Sequence, residues 1–87
     1  MMKLKKNVAV SDSGFIFNPD TGESFTANPM GLEMLARMRS GSDTESISHE
    51  IARKYNIDKD TVEKDYHDFV SMLKHHNLLE HVTEEEA

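Results

Sequence analysis

Alternating apolar and polar positions mark the first third of the chain. Residues 4–10 carry Leu, Lys, Val and Val at every second position, which predicts a strand with one apolar face. In the run that follows, Phe15 and Phe17 share one face of a second predicted strand, and Ile16 lies on the other. A third run places Phe25 between Ser and Thr. The pattern therefore predicts three short strands.

The second and third strands are joined by residues that suit a tight turn. Pro19 presets the backbone angle at the second position of a type I turn, and Gly22 can close the turn in the left-handed region. Because an isolated two-stranded hairpin is marginal in water, we expect the first strand to complete a three-stranded antiparallel sheet. In that order, residues 23–27 form an edge strand. The side chains expected to pin this sheet to the helices that follow are Phe15, Phe17 and Phe25.

From residue 28 onwards the apolar spacing becomes helical. Asn28 is a preferred N-cap and Pro29 suits the first helical position, so a first helix is predicted from here to about Arg39. Gly41 is expected to end it in a left-handed conformation. Three methionines spaced four residues apart along this helix are assigned to the core, although such a stripe can also form an adaptable binding surface.

Two further amphipathic helices are predicted. Ser42 and Glu45 have the spacing of a capping box and open the second helix. Asp58 caps the third helix, which runs to about His76, and Asn77 is expected to be left-handed after it. The predicted inner face of the second helix consists of Ile47, Ile51, Ala52 and Tyr55, and that of the third of Val62, Tyr66, Phe69, Val70 and Leu73.

The order of these elements predicts the fold class. Strands come first and three helices follow, with about three residues between the second and third helices, as in a helix-turn-helix. We therefore expect an α+β fold in which an N-terminal three-stranded antiparallel sheet packs on a three-helix, winged-helix-like bundle. Leu78 and Leu79 are expected to fold back under that bundle.

Composition narrows the class of protein. The 87 residues suit one small domain, predicted over residues 1–82, followed by an acidic flexible tail at residues 83–87. The chain contains no cysteine, which excludes disulfides and thiolate-held metal sites. There is neither an apolar run of membrane-spanning length nor the apolar core of a signal peptide, so we expect a cytoplasmic protein without a membrane partner.

The chain contains histidine and carboxylate side chains that could bind a metal or act in catalysis, but their spacing does not bring them together. The adjacent His75 and His76 point about 100° apart on a helix, and no two histidines are spaced four residues apart. We therefore predict no metal site and no cofactor. The carboxylates of the third helix are spread around its exposed arc, which is typical of a solvated face. Since no nucleophile motif or phosphate-binding loop is present, no catalytic residue and no enzymatic activity are predicted.

The helix-turn-helix spacing raises an alternative function, that of a winged-helix DNA-binding transcriptional regulator. The charge opposes it. The formal net charge is −6, and the first turns of the candidate recognition helix, residues 58–76, are its most acidic part. Because DNA-binding surfaces are basic, no nucleic-acid partner is expected. An acidic surface is compatible with a basic partner segment instead.

The predicted edge strand offers another kind of site. Its outward backbone donors and acceptors are unpaired, and proteins usually protect such edges. An extended peptide can instead add to the edge as a further strand, with pockets for alternate side chains supplying specificity. Two copies of the chain could also pair through this edge, so the sequence is compatible with a monomer or a homodimer.

Two stretches of the chain, with the spacing between them, carry a family resemblance. They are SDSGFIFNPDTGESFTANPMGLEML and ESISHEIARKYNIDKDTVEKDYHDFVSMLKHHNLLE. They resemble the PqqD-like family of small peptide chaperones, also called RiPP recognition elements, over about residues 4–80. Where that family often has Gly before Leu-Leu, this chain has Asn77, which also tolerates a left-handed conformation.

The resemblance implies a function without catalysis. Family members bind the leader of a ribosomally made precursor peptide and present it to a modifying enzyme, often a radical SAM protein, as in pyrroloquinoline quinone (PQQ) biosynthesis. The leader adds as a strand beside the third strand and lies against the third helix. Helical spacing does not decide which of two flanks of that helix faces the leader. One of these flanks carries Asp65, Met72 and His76. The peptide-binding residues that we predict are Glu23, Ser24, Phe25, Thr26 and Ala27 on the strand, with Tyr66, His67, Val70 and Lys74 on the other flank.

Overall fold

A computed structural model describes residues 2–81 of the chain. Four short strands precede three helices, and a fifth strand follows them. The sequence predicted three strands followed by three helices, so the first and the last of the five strands are additional. The predicted tail at residues 83–87 lies outside the described residues. The elements are β1 (Met2–Leu4), β2 (Ala9–Val10), β3 (Phe15–Asn18), β4 (Glu23–Thr26), α1 (Pro29–Arg39), α2 (Thr44–Tyr55), α3 (Lys59–His75) and β5 (Leu79–His81).

The predicted three-stranded antiparallel sheet is confirmed. Its order is β2-β3-β4, with Ile16 opposite Phe25 and Phe17 opposite Ser24. The hairpin turn closes with a hydrogen bond of 2.8 Å from the Gly22 amide to the Asn18 carbonyl, and Gly22 has a φ of +77°. A side chain at this φ would be strained, so glycine suits the position. In the order β2-β3-β4, strand β4 lies at an edge of this sheet.

The single strand predicted over residues 4–10 is wrong. A turn after Lys5, in which the Val8 amide donates to the Lys5 carbonyl at 3.1 Å, divides it into β1 and β2. Strand β1 pairs antiparallel with β5, which the sequence pattern did not predict as a strand. Leu78 and Leu79 do fold back and are buried, and the Lys5 amide donates to the Leu78 carbonyl at 2.9 Å. Residues 2–4 and 79–81 thus form a second, two-stranded sheet.

The caps of α1 and α3 are those predicted from the sequence. The Asn28 side chain accepts a hydrogen bond of 2.8 Å from the Gly31 amide, and that of Asp58 accepts one of 3.3 Å from the Thr61 amide. Helix α1 ends at Arg39 as expected. Helix α3 ends at His75, one residue earlier than predicted, and Asn77 follows with a φ of +58°.

The predicted start of α2 is wrong by one position. Asp43, not Ser42, is the N-cap, and its carboxylate accepts a hydrogen bond of 2.7 Å from the Ser46 amide. Because the helix begins at Thr44, Glu45 comes too early to close a capping box with Ser42. Ile47 and Ile51 form the buried face as predicted, whereas Tyr55, which was expected on that face, is exposed.

The hydrophobic core lies between the three-stranded sheet and the helices, and it corrects the predicted face of β3. Ile16 is fully buried, whereas Phe15 and Phe17 are 55% and 42% exposed. Alternation along a strand allows only one parity to face the helices, and here it is that of Ile16. Phe25 is opposite Ile16 and shares this face, so it alone of the three phenylalanines packs against the core. Phe15 and Phe17 therefore do not pin the sheet to the helices.

No helix within residues 2–81 combines the length and apolar character needed to cross a membrane.

Candidate functional site

The free edge of β4 presents backbone groups of two residues. The Ala27 amide donates to the Gly14 carbonyl at 2.7 Å, which makes these two residues face each other across the hairpin. Inward and outward backbone groups alternate along an antiparallel strand, so Phe25 also points its amide and carbonyl towards β3. Ser24 and Thr26 consequently point theirs outward. Within the described residues no strand pairs with this side of β4.

One flank of α3 lies beside β4. The ring of His76, at the C-terminal cap of α3, lies 4.2 Å from the ring of Phe25, measured between centroids. In the first turn of α1, which follows the other end of β4, a Cβ on Gly31 would lie 3.4 Å from Cε1 of Phe69. Met72 lies between Phe69 and His76 by helical spacing and is partly buried. The flank formed by Phe69, Met72 and His76, together with Phe25 and the edge of β4, is called the β4–α3 groove below.

Asn18 fixes one end of this groove. Its side chain is only 1% exposed, and its amide donates to the His76 carbonyl at 3.4 Å, while its Oδ1 accepts from the Asp20 amide at 3.0 Å. The hairpin turn is thereby tied to the C-terminus of α3. The sequence pattern did not identify Asn18 as a buried residue. Its alternation with Ile16 was the signal that it faces the core.

The predicted helix residues lie on the opposite flank of α3. Tyr66, His67 and Val70 line a cavity of about 320 Å³ together with Met38 and the loop that leads into α2. Burial raises the pKa of the Tyr66 phenol, and a hydrogen bond with the Thr44 side chain opposes part of that rise. Lys74 is exposed. The structure thus brings three of the four residues together, but not beside the edge of β4.

The same cavity is lined by Asp43, whose capping hydrogen bonds make the stability of the protein depend on pH. Hydrogen bonds from the Ser46 amide and side chain lower the pKa of the Asp43 carboxyl from its ordinary value of 3.8. A group with a lowered folded-state pKa stabilises the protein above its unfolded pKa, and that contribution disappears as the pH falls through the folded value. We expect Asp43→Asn, which keeps a capping oxygen, to remove this dependence.

The measurement for Asp43 is the urea midpoint of unfolding from pH 7 downwards. The wild type should lose its advantage over Asp43→Asn only below the ordinary pKa of 3.8. Asp12→Asn, an exposed carboxylate in the loop before β3, is the matched control and should follow the wild type. A difference between wild type and Asp43→Asn that stays constant from pH 7 to pH 2 contradicts the assignment.

Charged side chains elsewhere form surface ion pairs. Arg37 contacts Glu50 at 2.9 Å, and Lys54 pairs with Glu33. Exposed pairs of this kind add little stability. Among the side chains described for residues 3–80, no three histidine or acidic groups converge to hold a metal ion. The exposed side of α3 carries Asp60 and several other acidic residues, so its charge opposes binding to DNA phosphates.

A family model and solved structures match this chain. The family model for coenzyme PQQ synthesis protein D (PqqD) matches residues 14–79. The structure is similar to that of TbiB1 in complex with the TbiA(beta) leader peptide, with a TM-score of 0.80, 27% sequence identity, and 94% of this chain and 99% of that chain covered. It is also similar in fold to lasso peptide synthetase B1 complexed with the leader peptide, with a TM-score of 0.81, 19% identity and coverage of 92% and 98%. No curated protein sequence matches the chain.

Proposed function

Since the chain belongs to the PqqD family, we propose that it binds the leader segment of a ribosomally made precursor peptide and does not itself catalyse a reaction. The observation that carries the proposal is the outward backbone of Ser24 and Thr26 beside the apolar β4–α3 groove. TbiB1, which shares 27% of its sequence with this chain, forms a complex with a leader peptide. That relationship supports the same class of ligand here.

The leader adds as a fourth strand next to β4. Its backbone exchanges hydrogen bonds with Ser24 and Thr26, each worth about 0.5–1.5 kcal/mol net. Alternate side chains of the added strand point to the helix side of the sheet, where they meet Phe69, Met72 and His76. Affinity then comes from the backbone pairing, and sequence preference comes from the groove.

The site that we propose keeps the predicted strand and moves the predicted helix wall. Residues 23–27 remain the binding strand, with Ser24 and Thr26 as the residues that pair with the peptide. The wall is the flank of Phe69, Met72 and His76, because this flank lies next to Phe25 and Gly31. A contribution of Tyr66, His67, Val70 and Lys74 stays a prediction from the sequence.

We further propose that the bound leader is presented to a separate peptide-modifying enzyme, such as a radical SAM protein. PQQ biosynthesis is one pathway in which such an adaptor acts, and other peptide pathways use the same arrangement. Pairing of two copies through β4 would occupy the same backbone groups as the leader. A homodimer of that kind therefore competes with peptide binding.

The proposed function is tested with leader peptides of short precursor genes found next to the gene for this chain. A fluorescently labelled leader should bind saturably by anisotropy, and a peptide of the same composition in scrambled order should bind at least about tenfold more weakly. Equal binding of leader and scrambled peptide counts against the proposal. A gel shift with random DNA duplex at low salt, where any phosphate contacts are strongest, should show no retardation.

A further inference from the structure

A surface pocket opens at the end of the groove where β4 leads into α1. Its volume is about 280 Å³. Met34 at its base is buried, Met30 and Phe69 are partly buried, and the Asp65 carboxylate is exposed at its rim. The pocket thus combines a flexible apolar lining and an aromatic ring with a single acidic group. The residues that line it are Asn28, Met30, Gly31, Met34, Asp65 and Phe69.

The pocket is unsuited to an anion, although the N-terminus of α1 forms one side of it. Pro29 has no amide hydrogen, and the Gly31 amide already donates to the Asn28 side chain at 2.8 Å. The first turn of α1 therefore offers few free donors. The Asp65 carboxylate repels a negative charge from the opposite side.

Among the side chains of residues 3–80, Asp65 has no partner of opposite charge, because it takes part in none of the ion pairs that they form. At 100° per residue, Lys64 lies about 100° and Lys74 about 180° away from Asp65 around α3. The net charge of the chain is −6, which also favours a cationic ligand.

On the basis of the proposed function, we propose that this pocket takes a basic side chain, lysine or arginine, of the bound leader peptide. The aliphatic stem packs on Met30 and Met34, whose thioethers adapt to different shapes. The cationic head pairs with the Asp65 carboxylate and lies over the ring of Phe69. The pocket thus offers an apolar contact for the aliphatic stem of a lysine or arginine and an acidic and aromatic contact for its charged head.

The position of the pocket also sets where the basic residue lies in the leader. Asn28 comes two residues after Thr26, the last residue of β4 with outward backbone groups. A strand advances about 3.3 Å per residue and its side chains alternate between the two faces, so the basic residue lies one or three positions beyond the leader residue that pairs with Thr26. It is at the end of the leader strand near α1, opposite the end near His76.

The experiment starts from a displayed library of random 12-residue peptides selected on the immobilised protein. The strongest binder is synthesised together with an analogue in which its lysine is replaced by norleucine, or its arginine by citrulline. We expect a basic residue at one fixed position, and the neutral analogue should bind the wild type about threefold to tenfold more weakly. Asp65→Asn should lose most of this preference, because only the weaker attraction of the Phe69 ring for the charged head remains. Asp60→Asn, which removes the same charge outside the groove, should discriminate as the wild type does.

Two different failures can be told apart by the amide signals of Ser24 and Thr26 in an NMR titration. Peptides that shift these signals but carry no basic residue at a fixed position overturn the pocket assignment and leave the proposed function standing. So does an Asp65→Asn protein that discriminates between the charged and the neutral peptide as strongly as the wild type does. If no selected peptide shifts the two signals, the proposed function fails, and the pocket assignment fails with it.

Discussion

Ile16→Ala should destabilise the protein by about 2–5 kcal/mol, a large part of the stability of a domain this size. Ile16 is fully buried between the sheet and the helices, so truncation leaves a cavity in the core. Phe17→Ala, one residue on, should cost less than about 1 kcal/mol, because its ring is 42% exposed and faces away from the helices. Urea unfolding of both variants measures the difference.

The difference between these two variants tests which face of β3 packs on the helices. It does not require the absolute free energy of unfolding of the wild type. The larger side chain is predicted to matter less than the smaller one, which reverses the usual order of truncation costs. Phe15→Ala is a second exposed-face control and should behave like Phe17→Ala. If Phe17→Ala costs more than Ile16→Ala, the phenylalanine face packs on the helices, as the sequence pattern predicted, and the register of the sheet is wrong.

Ser24→Pro should weaken leader binding at least about tenfold while leaving the fold intact. Proline removes the outward amide of Ser24 and places its ring where the leader strand would lie. One lost backbone hydrogen bond accounts for up to about tenfold in affinity, and the ring excludes the neighbouring backbone as well. The strand itself tolerates the change, because an edge position does not need that amide for pairing with β3. Anisotropy titration and thermal unfolding measure the two effects.

Two matched variants make this result specific to the backbone. Ser24→Ala keeps the amide and should bind the leader as the wild type does, which excludes a role for the hydroxyl. Phe25→Pro removes an inward amide and a core-facing ring, so it should destabilise the protein itself. Unchanged binding by Ser24→Pro would show that the leader does not pair with β4.

The turn between β3 and β4 and most helix ends could be predicted from the sequence because each depends on local chemistry. Asn and Asp are preferred N-cap residues, and Asn28 and Asp58 each precede an amphipathic stretch and cap the helix that follows. Asn77 adopts a left-handed conformation that few other residue types tolerate. The choice between the two faces of β3 is different. Phe17 and Ile16 are both apolar, so alternation alone gives two equivalent answers. Only the packing of the helices selects the one in which Ile16 is buried.

The wall of the groove could not be predicted for a related reason. Helical spacing places Tyr66 and Phe69 on either side of the buried face, and both are aromatic. The contact of Phe69 with Gly31, and that of His76 with Phe25, depends on how α3 crosses the sheet. The pairing of β1 with β5 was also beyond local reasoning, because it joins residues from the two ends of the chain. The edge position of β4, by contrast, followed from strand order alone.

Amide hydrogen exchange with and without a saturating leader peptide tests the central claim most directly. In the free protein the amides of Ser24 and Thr26 should exchange fast, whereas that of Phe25 should exchange slowly because it already points to β3. We predict that the leader slows exchange at Ser24 and Thr26 by at least about tenfold, since both become hydrogen-bonded donors. A tightly bound leader that leaves both amides exchanging at their free rates would contradict strand addition at β4.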